Sequence, residues 1–265
     1  MNVLITAGGT TETIDPVRKI TNTATGRLGS LIAKEFVKQG KSQIDRIFYI
    51  CEKNTLIPSL PCLKVVSVMG VDEAKRALTD ILTANKIDAV IHSMAVSDYT
   101  VESMTTVENL AGFIADKLYP LNYQNFKNES TLAEYLVNLV RTNDCLLDNS
   151  KKIPSSIDNL MLMMKRTPKL INLVKRLQPS TFLVGFKLLN NVSEKQLLDA
   201  GYDVLIKNSC DLVLANDLKK INGNKHVGLL ISPDRSFTAF RAKAEIAHGI
   251  VQKVLTLTEK EGHRI

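Results

Sequence analysis

The sequence predicts an α/β protein with a Rossmann-like, doubly wound, mostly parallel sheet, helices on both faces, and a small antiparallel hairpin near the C-terminus. Three observations predict it. Short apolar runs of strand length alternate with segments whose apolar residues recur every three or four positions, the pattern of β-α-β units. The first such run opens the chain and leads straight into a glycine turn, Gly8-Gly9. The alternation continues through most of the 265 residues, a length at which one large domain buries a substantial core.

Taken in order, residues 2–6 form a short buried strand, and residues 28–39 carry Leu31, Ile32 and Phe36 at helical spacing before a stop at Gly40. Residues 46–50 and 63–68 read as the second and third strands. Residues 72–84 form an amphipathic helix with an acidic N-cap, and residues 89–92 a fourth strand running into a polar turn. From 101 to 149 the pattern weakens into a polar, turn-rich stretch with one helix at 132–140. Within a single domain spanning 1–265, such an interruption predicts a lid or dimerisation insertion. Regularity returns with a strand at 160–164, a helix at 168–177, a strand at 181–189, a helix at 194–200 and a last buried strand at 211–215. Residues 225–232 and 236–239 pair as an antiparallel hairpin around Pro233 and Asp234, and residues 241–259 form a closing helix.

Lys and Arg outnumber Asp and Glu by 34 to 27, a formal charge of +7 that favours anionic ligands. The cations are scattered along helices without interleaved aromatics, and Trp is absent, which argues against a nucleic-acid partner. Cys51, Cys62, Cys145 and Cys210 are far apart with no CxxC pair, so neither a zinc site nor a disulfide framework is indicated. His92, His226, His248 and His263 lack metal-ligand spacing, and no acidic cluster names a metal ligand. Neither a signal-peptide pattern nor a membrane-length apolar run is present, so a cytoplasmic protein without a membrane partner is expected.

The first turn, Thr6-Ala7-Gly8-Gly9-Thr10-Thr11, consists of small residues that let backbone N–H groups approach a phosphate or carboxylate. A plain tight turn would use the same glycines. Residues 15–22 then gather an acid, two cations, a carboxamide and hydroxyls ahead of Gly26, Gly29 and a helix. A helix N-terminus beside Arg18 and Asn22 is a natural anion site, and a capped loop with Asp15 bonding its own backbone is the alternative. Two rival functions fit the glycine turn. A nicotinamide-dependent reductase is opposed by the missing GxGxxG spacing and the missing YxxxK pair. A non-catalytic nucleotide-binding module would have no use for Asn22, Asp98 and several separately placed lysines.

Together these segments, ITAGGTTETIDPVRKITNTATGRLG, resemble the N-terminal signature of the phosphopantothenate-cysteine ligase family. Further elements follow in the family's order from Ile5 to Asp217. Ser93-Met94-Ala95-Val96-Ser97-Asp98-Tyr99 resembles its AAVSDY turn, and Lys151-Lys152-Ile153 with Ser155-Ser156 its lysine loop. Thr167-Pro168-Lys169 resembles its TPK helix start, Gly185-Phe186-Lys187 its GFK element, and Lys207 and Ala215-Asn216-Asp217 its later lysine and VAND elements. The likeness is to the free-standing bacterial type rather than the form fused to a flavin-binding decarboxylase.

The resemblance implies an enzyme of coenzyme A biosynthesis that activates the carboxylate of 4'-phosphopantothenate with CTP, ATP being the alternative nucleotide. Loss of pyrophosphate gives an acyl-cytidylate, which the amine of L-cysteine attacks. It implies Asn22, Arg18 and Lys152 as catalytic residues, with Asn22 offering neutral donors to the acyl carbonyl, and Asn22, Arg18 and Ala95 as binders of the acid substrate. For the nucleotide it implies Gly8, Gly9, Thr10, Ala95, Asp98, Lys152, Phe186, Lys207 and the helix start Pro168, Lys169, Leu170 and Ile171. It further implies Mg2+ with the triphosphate, and a homodimer. The chain departs from the family's pattern at Ala24 and Thr25, where two serines are common, at Met94, at Pro154 in the lysine loop, and at Asp203, where many bacterial members carry another lysine.

Overall fold

In the computed structural model, which describes residues 1–121, 126, 128–223 and 225–262, the first strand β1 (Asn2–Ala7) is buried beyond its first residue. Its run Val3-Leu4-Ile5 is what a strand covered on both faces requires. A ribbon of β2 (Thr11–Thr13) and β3 (Lys19–Thr21) follows, then α1 (Arg27–Gly40), β4 (Arg46–Cys51), β5 (Leu63–Ser67), α2 (Val71–Ala84) and β6 (Ala89–His92). Next come β7 (Tyr99–Thr106), α3 (Val107–Leu118), α4 (Glu129–Thr142) and β8 (Leu160–Arg166). The chain continues through α5 (Asn172–Leu177), β9 (Phe182–Leu189), α6 (Glu194–Lys207), β10 (Leu212–Asn222), β11 (Lys225–Ile231), β12 (Phe237–Ala242) and α7 (Lys243–Gly262).

Contacts divide the chain into two units: Met1–Thr11, Thr21–Ser97 and Pro168–Ile265 form the first, and Glu12–Ile20 with Asp98–Thr167 the second. The first unit holds an eight-stranded sheet in the order β12-β11-β10-β9-β6-β1-β4-β5. Its pairs from β5 to β10 are parallel, and β11 and β12 add antiparallel at one edge. The strand order grows from β1 outward to β4 and β5, then returns to β6 on the other side of β1. That reversal makes the carboxyl ends of β1 and β6 the topological switch point, the usual ligand position in such sheets. The alternating strand periodicity splits the core: Leu4, Ile50, Leu183 and Val213 pack with α2, α5 and α6, while Val3, Ile5, Val184 and Leu214 pack with α1 and α7.

The second unit holds β7 and β8 as an antiparallel pair together with α3 and α4, and it encloses the weakly patterned 101–149 stretch. β7 and α3 were not legible there. The partner of β7 lies some sixty residues downstream without a hairpin turn between them, and Leu110 is the one buried residue of α3, leaving a faint apolar stripe. Strand 160–164 belongs to this pair rather than to the main sheet.

Other elements are also adjusted. α2 is preceded by Gly70, which makes no side-chain cap; the acids Asp72 and Glu73 lie in its first turn, and Glu73 accepts from the Met69 N–H at 2.9 Å. Residues 168–169 carry no regular structure and Leu170 and Ile171 turn into α5, with the Leu173 N–H donating to the Leu170 carbonyl at 3.0 Å, so the helix starts at Asn172 rather than at Pro168. α6 runs a further two turns to Lys207 behind a capping box of Ser193 and Gln196. β10 runs on to Asn222, with irregular pairing to β11 after Asn216.

Candidate active site

In the first unit the carboxyl ends of β1 and β6 are stitched together by backbone. Gly9 and Ala95 form a parallel bridge, the Thr10 N–H donates to the Ala95 carbonyl at 3.1 Å, and the Ala95 N–H donates to the Gly8 carbonyl at 2.8 Å. Thr10 is fully buried, and its hydroxyl accepts from the Ser97 N–H at 2.8 Å. Gly9 is glycine because of close approach: a Cβ there would lie 2.3 Å from the Asn22 carbonyl oxygen.

Asn22 stands on this framework. Its backbone N–H donates to the Thr10 carbonyl at 3.2 Å, and its Nδ2 donates to the Ala95 carbonyl at 2.9 Å and to Ser97 Oγ at 3.2 Å. A carbonyl can only accept, so the amide orientation is fixed by chemistry. Both amide protons are therefore engaged, and the group left to offer a ligand is Oδ1, an acceptor rather than the expected donors. Ser97, which sequence reasoning did not single out, contributes to this placement from 75 positions away.

Around the turn, Thr6 Oγ1 lies 2.9 Å from His92 Nδ1 and accepts from the Met94 N–H at 3.3 Å, while Ser93 Oγ donates to the Thr6 carbonyl at 2.7 Å. Burial holds His92 neutral, its pKa pushed down to about 4. Burial and then the charge of Glu52 push the Cys51 thiol up to about 11, so it is no nucleophile at neutral pH. Phe186 packs partly buried against the α1/α7 core, and Ile171, at the start of α5, packs near Gly185. Leu170 is buried and Pro168 and Lys169 are exposed.

Lys207 is not gathered with these residues. β9 and β10 are parallel, so α6 between them returns to the amino end of the sheet, and Lys207 closes it with its ammonium 3.2 Å from Asp203. Asp217, which the sequence marks only as the end of the Ala215-Asn216-Asp217 element and with no site role, is buried beside the β9–α6 connection. Its carboxylate accepts from the N–H groups of Asn191 at 2.8 Å, Lys219 at 3.1 Å and Val192 at 3.4 Å. Burial alone would raise its pKa; these bonds outweigh it and hold the carboxyl below the usual range.

Arg18, Asp98 and Lys152 belong to the second unit. Asp15 organises part of it: Oδ1 accepts from the Val17 and Arg18 N–H groups at 2.8 and 2.7 Å, and Oδ2 from Arg18 Nη1 at 3.0 Å and the Ile153 N–H at 3.2 Å. Arg18 Nη2 donates to the Ile153 carbonyl at 3.2 Å. The capped-loop alternative for Asp15 thus holds, and the same carboxylate fixes Arg18 and the residue after Lys152. Burial pushes the Asp15 pKa up, but the backbone donors and Arg18 outweigh it, leaving it lowered. Lys152 is exposed and makes no ion pair among the described residues. Asp98 is exposed, and its carbonyl accepts from the Thr167 N–H at 3.0 Å.

Among the described residues no group of three or more His, Cys, Asp or Glu is arranged to hold a metal ion. No helix among them is long and apolar enough to cross a membrane.

Comparison with known proteins gives a consistent result. The family model of the DNA/pantothenate metabolism flavoprotein C-terminal domain matches residues 1–108 and 140–257. The coenzyme A biosynthesis bifunctional protein CoaBC of Thermococcus kodakarensis is 30% identical over 232 residues, 88% of this chain and 45% of the relative; that of Methanocaldococcus jannaschii is 27% identical, over 97% and 51%. The chain thus spans about half the length of these curated relatives. The crystal structure of the DNA/pantothenate metabolism flavoprotein from Streptococcus pneumoniae is 32% identical with a TM-score of 0.76, covering 97% of this chain and 99% of that one.

Proposed function

Because the chain belongs to the family of the DNA/pantothenate metabolism flavoprotein C-terminal domain, we propose that it is a phosphopantothenate-cysteine ligase of coenzyme A biosynthesis. The observation that carries this reading is Asn22, whose amide is pinned at the switch point between β1 and β6, with Oδ1 left for a ligand. Neither a reductase nor a passive nucleotide binder requires that arrangement.

The reaction has two halves. A carboxylate oxygen of 4'-phosphopantothenate attacks the α-phosphorus of CTP, breaking the bond to the β-phosphate and releasing pyrophosphate. The amine of L-cysteine then attacks the acyl carbon, the bond to the cytidylate oxygen breaks, and the amine's proton departs with CMP formation. The protein's task is to place anions together and to orient the amine. Asn22 Oδ1 accepts an N–H of that amine and turns its lone pair toward the acyl carbon. The backbone of Gly8, Gly9, Thr10 and Ala95 lines the turn over which the substrates lie, and Phe186 flanks the base.

As the family resemblance implies, Arg18 is the guanidinium for the acid substrate, Lys152 the ammonium for the triphosphate and Asp98 an acceptor for the nucleotide. Lys207, held by Asp203 at the amino end of the sheet, is given no role. Mg2+ travels with the triphosphate, and no side chain is assigned to it, in keeping with the lack of an acidic cluster among the described residues.

Mass-spectrometric detection of 4'-phosphopantothenoylcysteine after incubation with 4'-phosphopantothenate, cysteine, Mg2+ and either CTP or ATP tests the proposal. Product is expected with CTP, and with ATP in smaller amount. No product with either nucleotide overturns it.

A further inference from the structure

Asp15 lies between β2 and β3 with its side chain wholly buried, and both of its carboxylate oxygens are used. Oδ1 closes the local turn by accepting from the Val17 and Arg18 N–H groups. An asparagine or a serine closes such a turn as well, so the turn explains one oxygen and not the charge. Oδ2 accepts from Arg18 Nη1 at 3.0 Å and, from 138 positions along the chain, from the Ile153 N–H at 3.2 Å. Arg18 Nη2 donates in turn to the Ile153 carbonyl at 3.2 Å. Carboxylate, guanidinium and the backbone of Ile153 thus close a ring.

That ring holds the loop of Lys152. From residue 148 to residue 156 every side chain is exposed except that of Ile153, which is 3% exposed. The other hydrogen bonds and ion pairs of this loop among the described residues are local: Ser150 and Lys151 to Asp148, and the Ile157 N–H to the Pro154 carbonyl. The polar attachment of the loop to the rest of the second unit therefore runs through Ile153 alone, and Lys152 is the residue before it. Arg18 is not used up by the ring. Its side chain is 36% exposed, and of the five N–H donors of a guanidinium the ring takes two.

We propose that Asp15 is a positioning residue that sets two cations at once, Arg18 for the acid substrate and Lys152 for the triphosphate, so that one buried carboxylate couples the binding of the two substrates. An anion that engages the remaining donors of Arg18 fixes the guanidinium, and the fixed guanidinium holds the Ile153 backbone and with it the loop of Lys152. Ordering that would otherwise be lost when each substrate binds is in place beforehand. The proposal rests on the ligase reading for the identity of the two substrates, but the linkage of two anion-binding cations through Asp15 is separable from it.

Asp15→Asn keeps the size of the side chain but leaves one acceptor oxygen where two stood. If that oxygen closes the turn, the amide meets the donors of Arg18 and Ile153 and the ring is broken. The KM for 4'-phosphopantothenate and the KM for CTP are both expected to rise roughly tenfold, equivalent to about 1.4 kcal/mol each, with kcat and the KM for cysteine within about twofold of wild type. A merely structural role for Asp15 would lower kcat through loss of active enzyme and leave each KM unchanged. A rise for neither substrate or for only one of the two, an equal rise for cysteine, or a loss confined to kcat overturns the proposal. Should Asp15→Asn not fold, Asp15→Ser, whose hydroxyl still closes the turn, repeats the measurement. If wild type yields no phosphopantothenoylcysteine, the ligase reading fails separately, and calorimetric titration with inorganic tripolyphosphate decides. Binding weakened roughly tenfold by Asp15→Asn supports the linkage. Equal binding, or none by wild type, overturns it.

Discussion

At Asn22 a carboxamide is converted from donor to acceptor by its neighbours, because the Ala95 carbonyl and Ser97 Oγ take both amide protons. Substituting Asn22→Ala leaves the Ala95 carbonyl still satisfied by the Thr10 N–H, so the fold should lose only about 1 kcal/mol, the usual worth of one hydrogen bond. Activity should suffer more. An acceptor that orients the attacking amine acts in the second half-reaction, so turnover should fall by roughly 100-fold, the scale of losing one preorganised polar contact, while pyrophosphate release persists and an acyl-nucleotide accumulates. Quench-flow with mass spectrometry reads both, and equal loss of pyrophosphate release and product would place Asn22 elsewhere in the reaction. Gly8, Gly9 and Asn22 were legible as sequence because each belongs to a local motif. Ser97 and Asp217 were legible only as members of motif elements and not by what they do, because that depends on contacts with distant segments, which local spacing does not encode.

The elements of the main sheet were legible nearly to the residue where a strand is buried on both faces, as in β1, β4 and β6, since such strands must be continuous apolar runs. β7 and α3 lack that constraint. They expose much of their surface, and with it several apolar side chains: Val107 at the start of α3, Tyr119 at its end, and Val137 on α4 are 47%, 93% and 48% exposed. Such side chains on the elements of the 101–149 stretch are what a homodimer would cover. Light scattering on the purified chain at micromolar concentration should therefore give twice the 29.4 kDa chain mass, and Val137→Glu should shift the population toward monomer. A monomer with full activity would remove the dimer from the proposed mechanism.

For the whole molecule, the reversal of strand order between β1 and β6 was implicit in the β-α-β alternation, but the separation into two units was not, because the second unit is assembled from residues 12–20 and 98–167. That separation has a consequence in acid. Among the described residues, the histidines His92, His226 and His248 fall in the first unit and none in the second. Burial holds His92 at a pKa of about 4, and burial followed by the charge of Lys243 does the same for His226. A histidine whose folded pKa lies below its unfolded value of about 6.5 binds its proton more readily when unfolded. Its stabilisation is complete above pH 6.5 and is lost as pH falls toward 4. For the wholly buried His92 the loss across that window is on the order of 3 kcal/mol. In the second unit the resolved shifts are carboxylates held low: Asp15, where donors outweigh the burial that raises it; Glu108, lowered first by Asn159; and Asp148, lowered first by Ser150. Their contribution is present above their unfolded values, near 4, and is lost only as pH falls further. Hydrogen exchange followed by mass spectrometry, corrected for the intrinsic pH dependence of exchange, should therefore show protection falling between pH 6.5 and 4.5 in β1, β6 and β11 while β7 and β8 keep theirs. Replacing His92 with Gln should flatten the decline. Parallel loss of protection in both units over that range would mean that the buried histidines do not govern acid stability.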